Sequence, residues 1–114
     1  MTLHLTLKKQ WFDMIRSGKK TEEYREVKEY WITRLCNSHL EEWEGRYDFR
    51  PITHIKFTNG YSLTSPSFTI ECKGIRIGRG NPEWGAPTDR DVFILSLDKI
   101  VEHGTTSNPS TEEA

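Results

Sequence analysis

The feature that most constrains the fold is residues 68–77, where apolar and polar side chains alternate. Successive side chains of a β-strand point to opposite faces of a sheet, so this run predicts a strand with one buried face. Gly74 interrupts the alternation and predicts a β-bulge. Shorter runs of the same kind predict strands at residues 3–8, 52–58 and 92–97, and residues 98–101 either extend the last strand or flank it. Most of the predicted elements are therefore strands.

Two segments instead follow the helical period. Residues 9–17 predict a short helix, and Gly18 stands where a residue with left-handed backbone would end it. A second helix is predicted from about residue 26 to residue 35. Its apolar stripe consists of Val27, Tyr30, Trp31 and Leu35. Residues 37–49 are compatible with either a continuation of that helix or a connection.

The chain has 114 residues, of which 34% are apolar and 29% charged, enough for one domain with a lean core. We predict an α+β fold: a small mixed β-barrel of about five to six strands, with two or three helices inserted early in the chain. The domain is expected to span residues 1–102. Residues 103–114 contain no apolar anchor before the terminal alanine, and we expect a disordered tail there.

The total charge of −1 predicts no general affinity for polyanions, but its distribution is uneven. Residues 8–34 carry eight Lys or Arg against five Asp or Glu, whereas residues 35–114 carry eight against twelve. A local basic surface over the first third of the chain is therefore compatible with the sequence. A basic surface that covers the whole protein is not compatible with the sequence.

Cys36 and Cys72 lie far apart, and no other Cys or His completes a ligand set with them, so we expect no metal site, no cofactor and no disulfide. The chain begins without a basic and apolar leader, and no apolar run approaches the roughly 20 residues that span a bilayer. We therefore expect a cytoplasmic protein that has no membrane partner and keeps its thiols reduced.

A dense run of charges at residues 17–26 is the main candidate site. If residues 21–25 form a strand, Thr21, Glu23 and Arg25 share one face, and Lys20 lies at the turn before it. A carboxylate between two cations would hold them in place, and they would keep it ionised. The alternatives are a solvated, charged edge strand and an ion-pair network that only fastens the strand to the barrel.

The spacing Gly18-x-Lys20-x-x-Glu23-x-Arg25 resembles the G-x-K-x-x-E-x-R signature of ASCH domains, relatives of the PUA RNA-binding domains. The segments at residues 57–61 and 78–85 are similar to loops of small phage and bacterial ASCH proteins, and the resemblance covers roughly residues 3–101. It implies a PUA-like barrel and a cleft around the motif that binds RNA or a nucleotide.

Four further residues are candidates for ligand binding beside Arg25. Trp84 lies between glycines and prolines, where an indole either stacks on a base or folds back over the core. Tyr61 follows a turn and carries the same alternatives. Asn59 could read a base edge, although an Asn before Gly60 is also explained by the turn. Lys8, at the end of the first strand, could turn toward a cleft.

An enzyme is the competing hypothesis, with Lys20 as base or nucleophile and Glu23 or Glu71 as its proton partner. ASCH-like hydrolases use the signature lysine with a threonine and a distal glutamate. Lys20 matches that lysine, but Glu23 occupies the threonine position, and Glu71 is chosen from its strand position alone. The resemblance thus leaves a ribonuclease or a nucleoside amidohydrolase as an alternative.

Three functions remain open at this point. The first is a module that binds single-stranded RNA, a nucleoside or a nucleotide. The second is the small hydrolase, and the third is a protein-interaction domain without a small ligand. We favour the binding module, because the hydrolase threonine is missing and no metal site is expected.

Overall fold

The computed structural model describes residues 1–38 and 47–104. Five strands form one mixed sheet: β1 (Thr2–Thr6), β2 (Glu22–Glu26), β5 (His54–Thr58), β6 (Ser67–Gly78) and β7 (Val92–His103). Two short strands, β3 (Cys36–Ser38) and β4 (Asp48–Phe49), pair with each other. The helices are α1 (Lys9–Arg16) and α2 (Glu29–Leu35), and Pro82–Trp84 forms one 3₁₀ turn.

The five strands lie in the order β1-β5-β6-β7-β2, and only β1 and β5 run parallel. The sheet curls, so its edge strands β1 and β2 face each other across an open seam. The guanidinium of Arg25 on β2 bridges this seam to the carbonyl oxygen of Thr6 on β1, at 3.5 Å. The predicted α+β class is thereby confirmed, and in place of the predicted barrel the five strands form an open half-barrel.

The core is mainly aliphatic, and within it a cluster of phenylalanine rings joins α1 to the sheet. Phe12 of α1 packs on Phe68 of β6 with ring centroids 4.9 Å apart, and Phe68 lies 5.7 Å from Phe57 of β5. All three rings are almost completely buried. Each ring buries more area than an aliphatic side chain, so this cluster contributes a large share of the contact between α1 and the sheet.

β7 is longer than the alternation at residues 92–97 predicts. It continues to His103 because its second half pairs with β6, where Ile70 lies opposite Ile100 and Phe68 opposite His103. The pairing slips near Cys72 and Gly74, which confirms the predicted bulge. Gly104 still donates its backbone N–H to Ser67, so the described part of the domain reaches two residues past the predicted boundary at 102.

The second helix begins three residues later than predicted, and its buried residues differ from the predicted stripe. Glu26 still belongs to β2 and lies opposite Val92 of β7, so α2 starts only at Glu29. Ile32 and Leu35 are buried, whereas Val27 and Tyr30 of the predicted stripe are exposed. Sheet pairing therefore overrides the helical period at the start of this segment.

Two predictions concern residues outside the described ranges: most of the uncertain segment at 37–49 and the tail from residue 105. Within residues 1–38 and 47–104, the structure contains no helix that is both long and apolar enough to cross a bilayer.

Candidate functional site

The motif residues converge because a glycine turn returns the chain to the sheet directly after α1. Gly18 has φ of 85°, the left-handed conformation that ends α1, and Lys20 then donates its backbone N–H to Met14. On β2, Glu23 lies opposite Leu95 and Arg25 opposite Phe93 of β7. Both partners are core residues, so the charged pair faces the inside of the curled sheet.

Lys20, Glu23 and Arg25 form a charged triad around one carboxylate. Glu23 Oε1 lies 3.3 Å from the ammonium of Lys20. Glu23 Oε2 accepts hydrogen bonds from Nε of Arg25 at 2.9 Å and from Nη2 at 2.5 Å. Lys20 is 2% exposed and Glu23 5% exposed, so this carboxylate depends on the two cations for stabilisation.

Among the described residues, the ammonium of Lys20 is surrounded by a backbone carbonyl, two aromatic rings and the Glu23 carboxylate. It donates to the carbonyl oxygen of Trp84 at 2.7 Å and lies over the rings of Tyr24, at 4.7 Å, and Trp11, at 5.1 Å. Burial lowers the pKa of Lys20 below its ordinary value, and Glu23 partly opposes that shift. This cation is therefore held inside the protein.

The loop at residues 79–86 closes over Lys20 and is itself fastened to Tyr24. The hydroxyl of Tyr24 accepts the backbone N–H of Asn81 at 2.9 Å and donates to Glu22 at 2.7 Å. A Cβ on Gly80 would lie 2.6 Å from the Tyr24 ring, so only glycine allows this approach. Burial, together with the bond to the Glu22 carboxylate, raises the pKa of Tyr24 to about 12.

Arg25 differs from Lys20 because part of its guanidinium remains accessible. Its side chain is 17% exposed, and the guanidinium lies 4.8 Å from the centre of the Trp31 ring. Nε and Nη2 donate to Glu23 and Thr6, but no described residue accepts a hydrogen bond from Nη1. A planar, positively charged donor is thus available to a ligand.

That accessible edge opens into an aromatic recess of about 300 Å³ at the seam between β1 and β2. Its lining comes from β1, β2, α2 and the loop between β5 and β6: His4, Leu5, Thr6, Arg25, Tyr30, Trp31 and Tyr61. Tyr61 is 93% exposed and so projects at its rim. The volume suits one small ligand, and the lining combines aromatic rings with one fixed cation.

A second cavity, of about 420 Å³, lies at the other end of β2. It is lined by Gly18, Thr21, Glu22, Lys73, Ser96, Leu97 and Asp98. This cavity is larger than the aromatic recess, but no aromatic ring lines it. Its lining has two carboxylates and one lysine, and the Glu22 carboxylate is already paired with Arg76 at 2.9 Å. The aromatic recess is therefore the better site for an anionic or planar ligand.

The structure brings together only some of the predicted site residues. Arg25 and Tyr61 line the recess, whereas Trp84 lies beside Lys20 and contributes its carbonyl oxygen. Lys8 is exposed just before α1 and is outside the recess lining, and Asn59 uses its amide to donate to Leu7 at 3.0 Å.

Glu71 lies on the opposite face of the sheet from the charged triad. Its neighbours Ile70 and Cys72 belong to the core, so alternation directs Glu71 outward, where it lies opposite His54 of β5. Glu23 faces inward, and the structure therefore does not bring Glu71 and Lys20 together.

Sequence reasoning missed the recess residues that come from β1 and α2. His4 occupies a polar position of a half-buried strand, and Tyr30 and Trp31 were assigned to the buried stripe of a helix. The available signal was weak: adjacent helix positions lie about 100° apart, so a stripe that contains both Tyr30 and Trp31 places one of them at its edge. Tyr30 is 52% exposed.

Among residues 1–38 and 47–104, no three His, Cys, Asp or Glu side chains are grouped so that they could hold a metal ion. Comparison of the chain with protein-family models, with curated proteins and with solved structures finds no match.

Proposed function

We propose that this chain is a PUA-like domain related to the ASCH family and that it binds single-stranded RNA or a nucleotide in the aromatic recess. The observation that carries the proposal is the accessible guanidinium edge of Arg25 between aromatic rings. A guanidinium supplies paired donors to a phosphate or a base edge, and the rings supply stacking surfaces. The other residues of the motif, Gly18, Lys20 and Glu23, hold the guanidinium of Arg25 in position.

In this proposal the three charged residues have different roles. Arg25 contacts the ligand, while Glu23 holds the guanidinium through Nε and Nη2 and leaves Nη1 without a partner among the described residues. Lys20 lies behind Glu23 and balances the second carboxylate oxygen at 3.3 Å. An arginine held in this way loses little conformational freedom when a ligand binds, which strengthens binding.

Tyr61 and Trp31 are the proposed stacking surfaces. Trp31 already lies against Arg25, so it forms a fixed wall, whereas Tyr61 is almost fully exposed and has room to cover a ligand. Stacking of one base on an aromatic side chain contributes roughly 1–3 kcal/mol. The recess of about 300 Å³ excludes a double helix and suits an unpaired nucleotide.

The geometry supports binding more than hydrolysis. A lysine nucleophile must reach its substrate, but Lys20 is 2% exposed and is enclosed by Trp84, Tyr24 and Trp11. Of the two alternative proton partners, Glu71 faces the other side of the sheet, and Glu23 lies beside Lys20 but is already bound by Arg25. A protein-interaction domain, the third alternative, would also use an accessible arginine among aromatic rings, and the binding test below separates it from a nucleotide site.

The test is to measure binding of the four ribonucleoside 5′-monophosphates and a labelled hexauridylate to wild type and to Arg25→Lys. The substitution keeps the charge beside Glu23 but removes the planar fork, so we expect affinity to fall at least about tenfold while the fold is retained. Arg76→Lys is the matched control, because Arg76 pairs with the neighbouring Glu22 on the opposite face.

Tyr61→Ala should weaken binding by about 1–3 kcal/mol and leave thermal unfolding unchanged, since the ring is almost wholly exposed. If wild type binds none of these probes, or if Arg25→Lys binds them as wild type does, the proposed function is wrong.

A further inference from the structure

The outer face of β1 and β5 adjoins the aromatic recess and carries polar side chains. The helix residues in the core pack on the other face of the sheet: Phe12 and Ile15 from α1, Ile32 and Leu35 from α2. The two strands run parallel in register, which places outward residues side by side. Those side chains are Thr2, His4 and Thr6 on β1 and His54, Lys56 and Thr58 on β5.

This face and the recess share residues, so one ligand can touch both. His4 and Thr6 line the recess and also belong to the outward row of β1. His4 lies opposite Lys56, and adjacent strands are about 4.8 Å apart. Lys56 therefore lies one strand beyond the rim of the recess.

Lys56 is a cation without a counter-ion in the described part of the chain. It forms no hydrogen bond or ion pair there, although it is only half-exposed. Its partner on β6 is Thr69. Two carboxylates share this face: Glu71, which lies opposite His54, and Glu102 of β7, which lies opposite Thr69. The other outward neighbours of Lys56 are neutral hydroxyls and a histidine, a setting that suits a phosphate group.

We infer that the ligand is a single-stranded oligonucleotide of at least two nucleotides, whose chain leaves the recess across β1 toward β5. One nucleotide occupies the recess, and the phosphate of its neighbour binds Lys56 and His4, with the hydroxyls of Thr6 and Thr58 as further donors. This inference rests on the proposed function and narrows it, because a mononucleotide would leave this second subsite empty.

The experiment compares uridine 5′-monophosphate with labelled hexauridylate, each titrated against wild type, Lys56→Gln and the control Lys19→Gln at several salt concentrations. Lys19 is also exposed but precedes β2, at the opposite end of that strand from Arg25. We expect Lys56→Gln to weaken hexauridylate binding about fivefold at low salt and to reduce the salt slope by about 0.7, the value for one phosphate contact on a single strand.

Lys56→Gln should leave binding of the monophosphate unchanged, and Lys19→Gln should change neither ligand's affinity. If Lys56→Gln binds hexauridylate with wild-type affinity and slope while Arg25→Lys loses both ligands, this inference is overturned and the proposed function stands. If Lys56→Gln weakens both ligands equally, the lysine belongs to the recess, and the second subsite is overturned. If Arg25→Lys binds both ligands with wild-type affinity, the proposed function itself is contradicted.

Discussion

Lys20 and Arg25 bind the same carboxylate, yet one is enclosed and the other is accessible. Lys20 is 2% exposed, with its ammonium between two rings and the Trp84 carbonyl, whereas the Arg25 side chain is 17% exposed and borders the aromatic recess. The same type of charge therefore serves two purposes within one motif. On one side of Glu23 it stabilises the fold, and on the other it is available to a ligand.

The difference comes from what the rest of the chain places beside each cation. The loop at residues 79–86 covers Lys20, because Gly80 packs on Tyr24 and Asn81 donates to its hydroxyl. Arg25 instead lies at the seam, where its own bond to Thr6 is the link to β1. A site can form here because the sheet does not close.

Removing the shared carboxylate of Glu23 should lower the free energy of unfolding more than any other substitution proposed for this protein. Glu23→Gln leaves two buried or partly buried cations without their counter-ion, and we expect the free energy of unfolding to fall by about 3–5 kcal/mol. Urea denaturation at pH 7 measures this. Glu22→Gln is the control on the opposite face, where Arg76 is half-exposed, and it should cost about 1 kcal/mol or less. Equal losses in the two variants would contradict the distinction between the faces.

Replacing the enclosed cation should have an intermediate effect that is confined to stability. Lys20→Met fills the same space but leaves the Trp84 carbonyl without its donor and Glu23 with Arg25 as its remaining counter-ion, so we expect the free energy of unfolding to fall by about 2–3 kcal/mol. Nucleotide affinity should stay within about twofold of wild type wherever the variant is folded, because Arg25 keeps Glu23. A Lys20→Met variant that is fully stable but binds nothing would place Lys20 in the ligand site.

The smallest effect concerns the tyrosine that fastens the covering loop. Tyr24 has a pKa of about 12 in the folded protein, against about 10 when unfolded. The folded state therefore keeps the Tyr24 hydroxyl proton to a higher pH than the unfolded state does. The contribution of this hydroxyl to the free energy of unfolding is complete below about pH 10 and is lost as the pH rises through about 12. We expect wild type to exceed Tyr24→Phe in stability by about 1 kcal/mol at pH 8.

That advantage of wild type should shrink between pH 10 and pH 12, as urea denaturation at several pH values would measure. The other ionisable groups are common to both proteins and cancel in the difference. A difference that stays constant over this range would mean that the hydroxyl of Tyr24 is not held between Glu22 and Asn81.

Much of the local structure could be predicted because it depends on neighbours in the chain. The alternation in β6, the bulge at Gly74 and the end of α1 at Gly18 are all present. The start of α2 was misplaced because pairing of Glu26 with β7 is a long-range contact that no helical period records. The extension of β7 to His103 has the same cause.

By itself the sequence determined that Glu23 and Arg25 share a face of one strand, since alternation along a strand is a local property of the backbone. Only the tertiary structure decided that Lys20 is enclosed while Arg25 is accessible, and that His4, Tyr30 and Trp31 join Arg25. Burial depends on residues distant in the chain, here the loop around Trp84 and the open seam beside β1. Neighbouring residues in the chain thus determine which charges the site contains. The curl of the sheet determines which of them a ligand can reach.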